Sequence, residues 1–128
     1  MHIISHHDVP KKNGYYSKVT ESRNIVTPKI GATSFSLYEQ TLPLDGYIVA
    51  HYHDYEESLT FLSGRVQIVL DGETFTAEAR ATVFIPPQTV HSVRNVGNFP
   101  ALLIAVHGTS NPRVLYPDGP PNPVRWGP

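Results

Sequence analysis

Residues 51–57 read His51-Tyr52-His53-Asp54-Tyr55-Glu56-Glu57, two histidines and three carboxylates in seven positions. The preceding Tyr47–Tyr52 is β-branched and aromatic and reads as a strand. Side chains on a strand alternate faces, so His51 and His53 point the same way, about 6.5–7 Å apart along the chain. Two imidazoles at that spacing can grip one ion. Glu57 has the same parity, but a continued strand would carry it about 13 Å beyond His53. It can join them only if the chain reverses at Asp54-Tyr55-Glu56. Asp is a favoured turn residue and the apolar run resumes at Leu59, which makes the reversal reasonable. On this reading Glu57 opens the returning strand and faces His53 across the ladder, with Glu56 taking its place if the turn is one residue tighter.

Outward from this stretch the chain continues as short strands. Thr33–Leu42 alternates, with Phe35 and Leu37 against Ser34, Ser36 and Tyr38. Leu59–Leu62 ends at Ser63-Gly64, a turn signal, and Arg65–Leu70 runs into Asp71-Gly72, a strong two-residue hairpin signal. Glu73–Ala77, Thr82–Ile85, Val90–Arg94 and Ala101–His107 follow. No long window keeps a 3.6-residue apolar period, and the spacing of strands and turns predicts an all-β sandwich or small barrel. The 128 residues are read as one domain: a polar arm with edge strands over 1–32, a barrel core over 33–107, and a strap over 108–128. That strap carries six of the twelve prolines, which bar it from a sheet interior. Its Leu115, Tyr116 and Trp126 are expected to pack on the surface beneath.

A further histidine enters from Phe84–Asn95. Pro86-Pro87 ends a strand, a tight loop follows, and His91 opens the next strand with Val93 on the same face. With this stretch in place, His51-x-His53-x3-Glu57-x6-Gly64 resembles the first motif of the cupin family, and Pro86-x4-His91-x3-Asn95 resembles the second. Fifteen residues separate Gly64 from Arg80, where the second motif would start. Gly46 lies one residue nearer His51 than the family pattern has it, and Arg80 and Gln88 stand where the second motif has glycines. The resemblance covers roughly residues 34–107. It implies a cupin-like double-stranded β-helix (jelly-roll barrel) that holds a metal through His51, His53, Glu57 and His91. It also implies pairing through the sheets, hence a homodimer.

Three imidazoles and one carboxylate suit one divalent transition metal ion, Fe, Mn, Ni, Zn, Co or Cu, and include no soft ligand that narrows the choice. Up to two positions of an octahedron stay open, so the ion could serve as Lewis acid or redox centre. The leading expectation is therefore a small metal-dependent enzyme acting on a small polar metabolite, as dioxygenase or as lyase, isomerase or epimerase. A barrel that binds or senses a small ligand without turnover is the alternative. Among candidate pocket residues, Phe61 and Val93 share parity with ligands in their strands and are expected to line the cavity, as packing first and specificity second. Tyr38, Tyr52 and Tyr55 are read as packing residues that could also meet substrate. His107 ends the last apolar strand, read first as a surface histidine and second as a group reaching the pocket mouth as acid, base or a partner that supports a ligand. Arg94 has the opposite parity to His91 and should face outward. His2, His6 and His7 read as solvated.

Composition removes other classes. Net charge is −1 and the basic residues are scattered, which argues against nucleic acid or an anionic membrane as partner. With no cysteine there is no disulfide, thiolate site or thiol nucleophile. Residues 1–12 lack the apolar core of a signal peptide, and Ala101–Val106 is far too short to span a bilayer. A cytoplasmic location is the expectation.

Overall fold

The structure is a computed structural model and describes residues 2–12 and 21–118, with backbone alone at 124–125. The strands are β1 (Glu21–Val26), β2 (Ser36–Leu42), β3 (Tyr47–His51), β4 (Glu57–Ser63), β5 (Arg65–Leu70), β6 (Glu73–Glu78), β7 (Ala81–Ile85), β8 (His91–Asn95), β9 (Ala101–His107), β10 (Arg113–Val114) and β11 (Val124–Arg125). They form a five-stranded sheet, β1-β2-β9-β4-β7, a four-stranded sheet, β3-β8-β5-β6, and a small β10-β11 ribbon. Every ladder is antiparallel. This is the jelly-roll arrangement that the resemblance to cupins implies, within the all-β barrel that the strand and turn spacing predicts.

Period-two patterning explains why the sheets close on each other. In β2 and β9 every second residue is buried, and β4 keeps the same alternation over its first five residues. Leu42, Leu59, Phe61, Leu103 and Ala105 from one sheet meet Ile48, Val66, Ile68 and Val93 from the other in a single core cluster. Each large member buried in this way stabilises the fold by about 1.5–3 kcal/mol. Among the described residues no helix is long and apolar enough to cross a membrane.

Turn chemistry sets the register. Asp71 and Gly72 both have positive φ, 47° and 84°, the type I′ geometry that matches strand twist and joins β5 to β6. Gly64, at φ 94°, links β4 to β5, and a Cβ there would stand 2.9 Å from the Ala101 Cβ. Both demands favour glycine at that motif position. Asn95, fully buried at the end of β8, ties three chain segments together. Its Nδ2 donates to the carbonyls of Leu42, Pro43 and Phe99 at 3.0–3.1 Å, and its Oδ1 accepts the Gly97 N–H at 2.9 Å.

One expectation is corrected here. The chain does turn after His53, but β3 and β4 lie in different sheets, so Glu57 does not face His53 across a ladder. Both edges of β4 are taken by β7 and β9, and the cross-strand partners of Glu57 are Ile85 and His107. The 52–56 connection crosses from one sheet to the other. The outer side of β3 is met by the C-terminal segment, where Tyr52 and Leu115 exchange backbone hydrogen bonds of 2.8 and 3.0 Å. Val114 and Leu115 are buried there. Residues 119–123 and 126–128, Trp126 among them, lie outside the described residues.

Candidate metal centre

His51 closes β3, His53 follows in the connection, Glu57 opens β4 and His91 opens β8. His51 and His91 are register partners in the β3-β8 ladder, and their rings sit 4.2 Å apart between centroids. Glu57 enters from the opposite sheet. All four side chains are buried, and one ligand atom from each falls within 4.8 Å of the other three. Glu56, by contrast, is exposed, so the carboxylate in this group is Glu57.

Backbone carbonyls orient the three rings. The Nδ1 of His51 donates to the Val49 carbonyl (2.7 Å), that of His53 to the Arg113 carbonyl (2.6 Å) and that of His91 to the Thr89 carbonyl (2.9 Å). A carbonyl can only accept, so Nδ1 carries the proton on each neutral ring and Nε2 presents its lone pair. This is the tautomer in which imidazoles bind metals, with the second nitrogen anchored by the protein. Glu57 Oε1 lies 3.1 Å from His91 Nε2 and 3.5 Å from His53 Nε2. Neither Glu57 Oε1 nor His91 Nε2 has an aligned hydrogen bond, although both are buried. Acceptor atoms crowded in this way around one point suit a cation, and the donor set suits a divalent transition ion.

The electrostatics point the same way. Burial, reinforced by His91 and His53, pushes the pKa of His51 down to about 3. Burial also lowers His107 to about 4, against the attraction of Glu57. Burial works downward on His91 too, but contact with Glu57 prevails and raises it. For Glu57, burial alone would raise the pKa. The charge of His107 and the close approach of His53 and His91 reverse this and hold the carboxyl well below its usual range. Glu57 is thus a carboxylate facing largely neutral imidazoles, as metal binding requires.

A stability prediction follows for the metal-free protein. Unfolded histidines bind protons from about pH 6.5 downward, whereas folded His51 and His107 hold off until about 3 and 4. The unfolded chain therefore binds more protons in this window, and stability falls as pH falls from about 6.5 towards 4, by about 1.4 kcal/mol per unit per histidine. His91, raised rather than lowered, adds no slope below 6.5. Glu57 adds to the loss only further down, as pH drops below 4.5. Urea midpoints measured at intervals across this range check the slope, and a flat profile would contradict it.

His107 is the main correction at the site. It is neither on the surface nor at a mouth but fully buried, with Nε2 3.1 Å from Glu57 Oε2. The signal was present in the sequence, because His107 shares the inward parity of Ala101, Leu103 and Ala105. Tyr55 is also interior: its ring stacks on His53 at 4.7 Å and its hydroxyl meets His107 Nδ1 at 2.8 Å. Burial and the Glu57 charge raise its pKa, so it stays a neutral phenol. Tyr38 packs in the core with its ring edge-on to His107. Phe61 packs fully buried in the central cluster. Val93 does line a recess beside the histidines, together with Gln40, Ile48, His51, Glu57, Leu59 and His91, but its volume is only about 10 Å³, room for about one water. Arg94 faces outward, over the Tyr47 ring. His6 contacts Glu39 and His7 contacts Asp8, well apart from the centre.

Fold and site together define a small antiparallel barrel with a buried group of three histidines and a glutamate. The chain belongs to the cupin family: the cupin domain model matches residues 38–107, just over half its length. It is 36% identical over 84 residues to the polyketide synthase CurC of Streptomyces cyaneus, a match covering 64% of this chain and 54% of that protein. It is 34% identical over 70 residues to the uncharacterized protein MJ1618 of Methanocaldococcus jannaschii, covering 54% and 56%. The chain thus spans about half the length of these curated relatives. Among solved structures, the polyketide cyclase RemF from Streptomyces resistomycificus superposes with a TM-score of 0.81 at 21% identity, over 94% of this chain and 88% of that one.

Proposed function

We propose that this chain is a metal-dependent cupin enzyme whose substrate is a small polar carbonyl compound with paired oxygens beside an enolisable carbon. The observation that carries this is the convergence of His51, His53, Glu57 and His91, with each histidine's Nδ1 anchored to a carbonyl. A divalent ion held by these residues supplies Lewis acidity, or electron transfer if the metal is redox-active. The chain's own groups bind and orient. Ile48, Leu59 and Val93 give the recess apolar walls that exclude water, and Gln40 places one neutral amide beside the donors. Such an amide can both donate to and accept from a substrate oxygen. Two similar proteins whose names concern polyketides support this substrate class, since polyketide chains carry repeated 1,3-dicarbonyl units. They favour isomerase-, lyase- or cyclase-type chemistry; the same donors would also serve a dioxygenase.

The test is turnover of 1,3-dicarbonyl compounds and β-keto acids by protein reconstituted with zinc, manganese, cobalt, nickel, copper or, anaerobically, ferrous iron. Ultraviolet absorbance of the enol and oxygen consumption are read together. Turnover lost in His51→Ala supports the enzyme, and coupled oxygen uptake would move it to the dioxygenase class. Tight binding without turnover would instead establish a ligand-binding barrel.

A homodimer is proposed on the same footing. Leu62 and Phe84 are exposed on the outer face of the five-stranded sheet, and Val106 and Ile104 share that face. Light scattering is expected to give twice the chain mass, and a monomeric mass would remove the proposal. The cysteine-free composition supports a cytoplasmic site of action.

A further inference from the structure

We infer that His107 is a positioning residue that assigns the two oxygens of Glu57 to different partners, leaving Oε1 alone for the ion. The inference rests on the metal reading above and concerns a residue outside the four-residue group. Glu57 and His107 are direct cross-strand partners in the β4-β9 ladder, so the backbone itself places them side by side. Within that pair the carboxylate is divided. Oε1 faces His53 and His91 at 3.5 and 3.1 Å, whereas Oε2 lies 3.1 Å from His107 Nε2, an ion-pair distance at which Nε2 is not aligned for a hydrogen bond.

His107 is itself held. The Tyr55 hydroxyl lies 2.8 Å from its Nδ1, and the Tyr38 ring packs edge-on at 5.3 Å. The same hydroxyl lies 3.4 Å from the Arg113 N–H, which can only donate to it. Glu57 as a carboxylate can only accept, so a proton on His107 Nε2 is the favourable arrangement, with Tyr55 donating to Nδ1. The Arg113 carbonyl accepts from His53 Nδ1 at 2.6 Å and lies 3.3 Å from the Tyr55 hydroxyl, whose single proton goes to His107 Nδ1 in this arrangement. The Arg113 backbone thereby sets the angle of a candidate ligand and, through its N–H, of the tyrosine behind His107. A carboxylate held by one oxygen takes one coordination position, whereas a carboxylate that swings to bind through both takes two. His107 therefore keeps open a position that substrate needs.

Cobalt(II) titration of the full chain tests this, reading affinity by calorimetry and coordination by visible absorption, with circular dichroism as the folding control. The unaltered chain is expected to take up about one equivalent. His107→Ala is expected to weaken binding by about 10–100-fold, as loss of a residue that orients a ligand does, and to change the cobalt spectrum. His107→Gln, whose amide N–H can reach the same oxygen, is expected to recover most of both. If His107→Ala fails to fold, His107→Gln and Tyr55→Phe decide, the latter with a smaller change in the same direction. Unchanged affinity and spectrum in folded His107→Ala overturn the inference while the metal reading stands. Pulsed electron resonance on the copper(II) protein that shows four imidazoles, falling to three in His107→Gln, overturns it by making His107 a ligand. No uptake by the unaltered chain overturns the metal reading and this assignment together.

Discussion

The double variant His51→Ala/His91→Ala is expected to carry essentially no metal, against about one equivalent in the unaltered chain, when both are purified without chelator or nickel resin and measured by mass spectrometry. These residues supply two of the four converging donors. Four-ligand zinc sites bind with about 10–16 kcal/mol, and losing two ligands removes on the order of half, which leaves too little to survive purification. Folding should persist, because both side chains sit outside the main apolar cluster; circular dichroism checks this, since loss of His91 also removes a favourable contact with Glu57. Metal retained at full stoichiometry would move the site elsewhere, with His2, His6 and His7 the first place to look.

Asn95→Ala should produce the largest stability loss of any single polar substitution in the barrel, about 2–4 kcal/mol by urea unfolding. The side chain satisfies the carbonyls of Leu42, Pro43 and Phe99 and the Gly97 N–H in a fully buried position. Truncation leaves buried backbone groups without partners, and that desolvation penalty exceeds the net value of the bonds themselves. Asn95→Asp should be worse still, for it sets a carboxylate against three carbonyl oxygens. An aspartate variant as stable as the parent would show that these bonds do not fix the loop after β2.

Period-two reasoning carried the sequence a long way, because alternation depends only on residue type and spacing. It groups His51 with His53, gives Val93 the side of His91, turns Arg94 outward and marks Asp71-Gly72 as a hairpin. What it could not supply was which strands pair. The neighbours of β4 are β7 and β9, more than fifteen residues away in the chain, and no local pattern encodes that choice. Hence Glu57 was set against the wrong strand although it converges on the same histidines. His107 is legible by parity as an inward residue, yet the exposure usual at strand ends ranks the surface reading above that of a group beside the ligands. The Arg113 carbonyl was illegible in principle, since a backbone acceptor leaves no trace in residue identity. Gln88 shows the limit of motif glycines: it takes φ 66° where the family pattern has glycine, held by its N–H to the His53 carbonyl at 2.7 Å.

Because the Arg113 carbonyl accepts from His53, and the next residues pair with Tyr52, the C-terminal segment and the metal are thermodynamically reciprocal. Whatever factor docking of this segment adds to metal affinity, metal must return as tighter docking. The amide proton of Leu115, remote in sequence from all four proposed ligands, should therefore exchange more slowly with solvent once metal is bound, as should that of Tyr52, between His51 and His53.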